Sequence, residues 1–96
     1  MQAKSTAKST VFIDNERTRV TEWRFAPGAS TGWHRHEFDY VVVPLLDGKL
    51  ELTNDDKDSQ IAELSAGVPY FRQVGVEHDV TNVNEYEYAF IEIELK

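Results

Sequence analysis

Gly28-Ala29-Ser30-Thr31-Gly32-Trp33-His34-Arg35-His36-Glu37-Phe38-Asp39-Tyr40 and, downstream, Gly75-Val76-Glu77-His78-Asp79-Val80-Thr81-Asn82 hold all three histidines of the chain. Alternate side chains of a β-strand share a face, so His34 and His36 point the same way wherever that segment is extended. Two imidazoles on one strand, joined by a third from a distant strand, supply three corners of a metal's coordination sphere. Taken alone, an H-x-H pair reads equally well as two histidines on a solvated strand. His78 and its neighbours are what give the pattern weight.

Outward from this stretch, the chain reads as strand and turn. Before it, Val20–Phe25 alternates, with Thr21, Trp23 and Phe25 on one face and Val20, Glu22 and Arg24 on the other. Pro27-Gly28 ends that strand. After it, Val41-Val42-Val43 is apolar on both faces, as an interior strand requires, and Pro44 marks a bulge or an edge. Asp47-Gly48 is the favoured pair for a two-residue hairpin, with Lys49–Thr53 as the return strand. Asn54–Asp58 reads as a solvated hairpin tip.

Short strands are expected over 60–64, 70–73 and 77–83, and the clearest alternation runs from Tyr86 to Leu95. The acidic residues on alternating strand faces are read as solvated. No segment carries a helical period and no repeat is present. Strands every 8–12 residues with turns between them predict an all-β sandwich or barrel. Barrel closure removes the exposed strand edges such a chain would otherwise present. At 96 residues there is room for one domain. Residues 11–96 are read as that domain and residues 1–10, poor in apolar anchors, as a flexible arm or a weak edge strand.

Composition excludes several classes. A net charge of −7 with few, scattered Lys and Arg argues against nucleic acid and against an anionic membrane surface as partners. No apolar run reaches the roughly 18 residues that a spanning helix needs. Met1–Thr10 lacks the apolar stretch of a secretory signal, so a cytoplasmic location is the expectation. With no cysteine there is no disulfide and no thiolate ligand or nucleophile. Neither a Gly-x-Ser-x-Gly elbow nor a phosphate-binding loop occurs.

The two histidine stretches also resemble the paired motifs of the cupin superfamily, G-x5-H-x-H-x(3,4)-E-x6-G and G-x5-P-x-G-x2-H-x3-N. Gly28, His34, His36 and Gly48 match the first; Gly67, Gly75, His78 and Asn82 match the second. The likeness extends from Trp23 to Ile93 and is greatest to small single-domain cupins of the β-alanine degradation type. It implies a small antiparallel jelly-roll barrel, a homodimer, and a divalent transition metal (Fe, Ni, Zn or Mn) on His34, His36 and His78. Two positions depart from the pattern. The glutamate position falls on Tyr40 or Val41, neither a carboxylate, and Gln73 replaces the proline.

A three-histidine site leaves the ion's charge unneutralised, which favours a small anionic ligand. Tyr40 shares strand parity with His34 and His36, and either faces the site or fills the interior as an aromatic. Asp39 and Glu37 have the opposite parity, and a bulge would be needed to make Asp39 a ligand. Arg72 is placed to clamp a carboxylate if its face is inward. Gln73 is a further candidate contact, while Asn82 is read as structural. The expected function is that of a metal-binding cupin, either an oxygenase- or isomerase-type enzyme acting on a small organic acid or a non-catalytic accessory module whose metal is mainly structural.

Overall fold

The computed structural model describes residues 5–96, in which β-strands are the only regular elements. They are β1 (Lys8–Asp14), β2 (Thr18–Phe25), β3 (His34–Arg35), β4 (Asp39–Pro44), β5 (Gly48–Thr53), β6 (Ser59–Leu64), β7 (Tyr70–Arg72), β8 (Glu77–Asn82) and β9 (Tyr88–Leu95). A five-stranded sheet in the order β1-β2-β9-β4-β7 faces a four-stranded sheet in the order β3-β8-β5-β6. Every ladder is antiparallel. The chain crosses repeatedly from one sheet to the other, in the manner of a jelly roll. Among the described residues no helix is long and apolar enough to cross a membrane.

Only β1–β2 and β5–β6 are neighbours both in sequence and in a sheet. Asn15 makes the first turn, its Oδ1 accepting the N–H groups of Arg17 (2.8 Å) and Thr18 (2.9 Å). Asn54–Asp58 closes the second, between the paired residues Thr53 and Ser59. The hairpin expected at Asp47-Gly48 is not one, because β4 pairs with β7 and β9 while β5 pairs with β6 and β8. The dipeptide instead carries the chain from one sheet to the other. Hydroxyls from β9 and the segment before it fix that corner: Tyr88 donates to the Leu46 carbonyl (2.8 Å) and Tyr86 to the Asp47 carbonyl (2.7 Å).

Register decides what lies inside. Arg19, Thr21, Trp23 and Phe25 of β2 stand opposite Glu94, Glu92, Phe90 and Tyr88 of β9. On the other flank of β9, Tyr40, Val42 and Pro44 oppose Glu94, Glu92 and Phe90. These residues form the inner face, and with Leu50 and Val80 from the facing sheet they build the core. Phe25 and Tyr88 are wholly buried, and the Phe25 and Phe90 rings meet at 5.6 Å. Glu92 and Glu94 are therefore buried, each 8% exposed, contrary to the solvated reading of the strand carboxylates. Glu94 is paired with Arg19, the residue across the ladder from it.

Of the segment read as an arm, residues 1–4 lie outside the described residues. Thr6 bridges Ser30, the buried Ala7 donates its N–H to the Ser30 carbonyl (2.8 Å), and Lys8 opens β1.

Candidate metal centre

β3 is two residues long and pairs with β8 so that His34 lies directly opposite His78. The backbone of His36 continues the contact, donating to the Val76 carbonyl (2.9 Å) and accepting the Gly75 N–H (2.9 Å). Gly75 makes this return with φ +97°, a conformation side chains disfavour. The result brings the three rings together. His36 Nε2 lies 3.0 Å from His34 Nε2 and 3.1 Å from His78 Nε2, with the rings inclined at 69–85° to one another.

The outer nitrogens are supported to different degrees. His34 Nδ1 is 2.9 Å from the Gly32 carbonyl, an acceptor, so Nδ1 carries the proton and Nε2 presents a lone pair. Thr31 braces this corner, its hydroxyl 3.2 Å from His34 Nδ1 and accepting the Val80 N–H (3.2 Å). The buried His36 ring stacks on Tyr40, centroids 3.8 Å apart and planes 15° apart. Its Nδ1 faces Oε2 of Glu92 at 4.0 Å.

Burial sets the electrostatics. It holds His36 down at about 4 and His78 at about 3, the neighbouring imidazoles adding to the effect. Glu92 is pushed up to about 7, mainly by burial and then by Glu94, while the Trp23 indole and Arg19 oppose the rise. Tyr40 is raised above its ordinary value by burial.

His36 and His78, kept neutral at physiological pH by burial, thus aim their Nε2 atoms at the same point as that of His34. His36 Nε2 has one hydrogen at most to offer two neighbours, so uncompensated lone pairs face one another there. A cation relieves this, and with the His36 and His78 pKa values depressed a proton on either ring does not supply it at neutral pH. The donor set fits a divalent transition ion: three imidazole nitrogens on rigid, paired backbone, one of them oriented by a backbone carbonyl.

A narrow cavity opens beside the histidines, lined also by Trp23, Tyr40, Leu50, Tyr70, Arg72 and Glu92. Arg72 stands opposite Tyr40 in the β4–β7 ladder, its guanidinium 4.7 Å above the Tyr70 ring. A second, open depression between the β5–β6 hairpin and β8 shares Arg72 and His78 with the cavity, so these residues stand at its mouth.

The structure brings His34, His36, His78, Tyr40 and Arg72 together. Gln73 is exposed and does not line the cavity, since it follows Arg72 and takes the opposite parity. Asp39 is committed elsewhere, its Oδ1 accepting the Val74 N–H (2.8 Å), and Glu37 is exposed. Asn82 is structural: its Nδ2 donates to the carbonyls of Phe25, Ala26 and Tyr86. Sequence reasoning missed Glu92, whose signal was its place opposite Thr21, on the same face as Trp23 and Phe25.

Comparison with known proteins agrees with this geometry. Residues 21–94 match the family model described as a cupin domain. The chain is 53% identical, over the whole length of both, to the β-alanine degradation protein BauB of Pseudomonas aeruginosa. A crystal structure of a cupin domain from Bordetella pertussis superposes with a TM-score of 0.96 at 51% identity, covering 100% of this chain and 99% of that one. A double-stranded β-helix domain from Klebsiella pneumoniae shares the fold alone, with a TM-score of 0.77 at 16% identity over 99% of this chain and 81% of its own. On motif, fold and family match together, the chain belongs to the cupin family.

Proposed function

We propose that the chain binds one divalent transition metal through Nε2 of His34, His36 and His78, and that the ion and Arg72 together hold a small organic anion. The convergence of three Nε2 atoms at 3.0 and 3.1 Å carries this reading. His34, His36 and His78 would hold a divalent transition ion such as Fe, Ni, Mn or Zn through these three nitrogens.

Such an ion would act as a Lewis acid toward a bound oxygen and, if redox-active, would support oxygenase-type chemistry. The chain's own residues do the rest. Arg72 fixes a carboxylate bidentately, and its stacking on Tyr70 limits the guanidinium's freedom. Trp23, Leu50 and Tyr70 shape an apolar interior that limits water. Glu92 offers a buried carboxyl on the Nδ1 side of His36, behind the ring whose Nε2 faces the other two histidines.

The full-length likeness to the P. aeruginosa protein supports a place in β-alanine breakdown, with substrates among small amino or oxo acids. Chelator-treated protein titrated with Fe(II), Ni(II), Mn(II) or Zn(II), then with a panel of small carboxylic acids, tests the reading. Acids should raise the melting temperature only once metal is bound, and turnover or O₂ uptake should cease in His78→Ala. Acid binding that ignores the metal contradicts the proposal. Tight binding without turnover would assign the accessory role instead.

A further inference from the structure

Two side chains of opposite charge face the histidine cavity, and neither has a counter-ion. Glu92 is 8% exposed and lines the cavity, yet among the described residues no lysine or arginine lies within ion-pairing distance of it. Its nearest basic group is Nδ1 of His36 at 4.0 Å, on an imidazole that burial keeps neutral. The next inward acid on β9 shows what is missing: Glu94, equally buried, has Arg19 across the ladder. Arg72 is the converse case. Its guanidinium lies over the Tyr70 ring and its Nη1 donates to the Phe71 carbonyl (3.2 Å), which leaves the charge without an acid.

Register keeps the two apart. Arg72, Tyr40 and Glu94 stand side by side on one rung of β7, β4 and β9, and Tyr70, Val42 and Glu92 on the next inward rung. Because β4 lies between β7 and β9, the backbones carrying Arg72 and Glu92 are roughly 10 Å apart across the sheet. Both side chains turn toward one cavity, where Tyr40 and Tyr70 also line the wall. Burying a carboxylate without a partner is costly, and a ligand that brings the missing cation offsets that cost.

We propose that Glu92 receives the ammonium group of a small zwitterionic amino acid whose carboxylate is held by Arg72. The inference rests on the anion site proposed above and names its ligand class. The polarity of the site agrees. Arg72 stands with His78 at the cavity mouth, so a carboxylate there meets the guanidinium and the ion that the histidines would hold. Glu92 lies on the Nδ1 side of His36, so the ring separates an ammonium there from the point where the three Nε2 atoms meet. A simple carboxylic acid leaves Glu92 unpaired, and a dicarboxylate sets like charges together. Since the two protein charges come from strands that are not neighbours, the amine belongs at the far end of the ligand, as in β- and γ-amino acids.

Calorimetric titration of metal-loaded protein with two isosteric pairs tests this: β-alanine against butyrate, and 4-aminobutyrate against pentanoate. In at least one pair the amino acid should bind at least tenfold more tightly than the plain acid. Glu92→Gln keeps the shape of the side chain and removes its charge. It should shrink that preference to about twofold or less while metal affinity, read by chelator competition, stays within about twofold. Equal binding within both pairs by the wild-type chain overturns the inference and leaves the anion site standing. So does a Glu92→Gln chain that keeps the preference, or one that loses only metal affinity, which would make Glu92 a support for His36. Amino acids that bind metal-free protein with the full preference would uphold the inference and overturn the metal-dependent reading instead. Failure of all four molecules to bind overturns both.

Discussion

Nδ1 of His36 lies 4.0 Å from Oε2 of Glu92, two buried titratable groups brought together from residues 56 positions apart. Their pKa values move in directions that make them oppose each other in the metal-free protein. Glu92, raised to about 7 from an ordinary 4.5, is protonated in the folded chain at pH values where the unfolded chain has lost the proton. Its contribution is fully present below about 4.5 and is lost as pH rises to about 7. His36 and His78, lowered to about 4 and about 3, contribute stability present above about 6.5 and lost as pH falls. Glu92→Gln removes the first effect only. Chelator-treated Glu92→Gln should therefore gain stability over wild type between pH 5 and pH 8, by up to about 3 kcal/mol. Urea unfolding across that range measures it, and parallel profiles for the two proteins contradict the assignment.

Gly48 owes its place to a neighbour rather than to its backbone. A Cβ there would meet the wholly buried Tyr88 ring at 2.7 and 2.9 Å. Tyr88 is also tied by its hydroxyl to Leu46, so it cannot swing away cheaply. Gly48→Ala is expected to cost about 1–3 kcal/mol through overpacking, read by denaturant unfolding. A neutral substitution would show that the corner between β4 and β5 is looser than described.

Asn82 joins the carbonyls of Phe25 at the end of β2 and of Ala26 and Tyr86 through one amide, and accepts the Asn84 N–H (2.8 Å). Asn82→Ala leaves these buried groups short of partners and should destabilise the fold by about 2–4 kcal/mol. Thermal unfolding of the variant, with and without added metal, should show this loss in both conditions. A loss confined to the metal-loaded protein would instead make Asn82 part of the site.

Arg72 has no carboxylate within ion-pairing distance among the described residues, and it reaches both the cavity and its mouth. Arg72→Met should reduce the affinity of metal-loaded protein for small carboxylic acids by about 10- to 100-fold while leaving metal affinity within about twofold. Calorimetric titration separates the two. Unchanged acid affinity would remove Arg72 from the proposed anion site.

The histidine cluster was legible because it rests on a short-range rule. Period-two alternation puts His34 and His36 on one face, and the second motif brings in His78. The corner at Asp47-Gly48 was not legible, since the dipeptide looks the same whether its flanking strands pair or part. What parts them is the arrival of Tyr86 and Tyr88 from about 40 residues later. Glu92 stayed hidden because β9 inverts the usual pattern, turning Glu92 and Glu94 inward and Ile91 and Ile93 outward. A buried carboxylate beside a histidine is the consequence of that inversion, and the register of β9 against β2 and β4 reveals it.

The metal content of freshly purified protein, measured by elemental analysis beside a His78→Ala variant, tests the central claim most directly. About one divalent transition ion per chain is expected in the native protein, falling at least tenfold in the variant. A native chain that neither carries nor takes up stoichiometric metal, or a variant that retains it in full, would contradict the account.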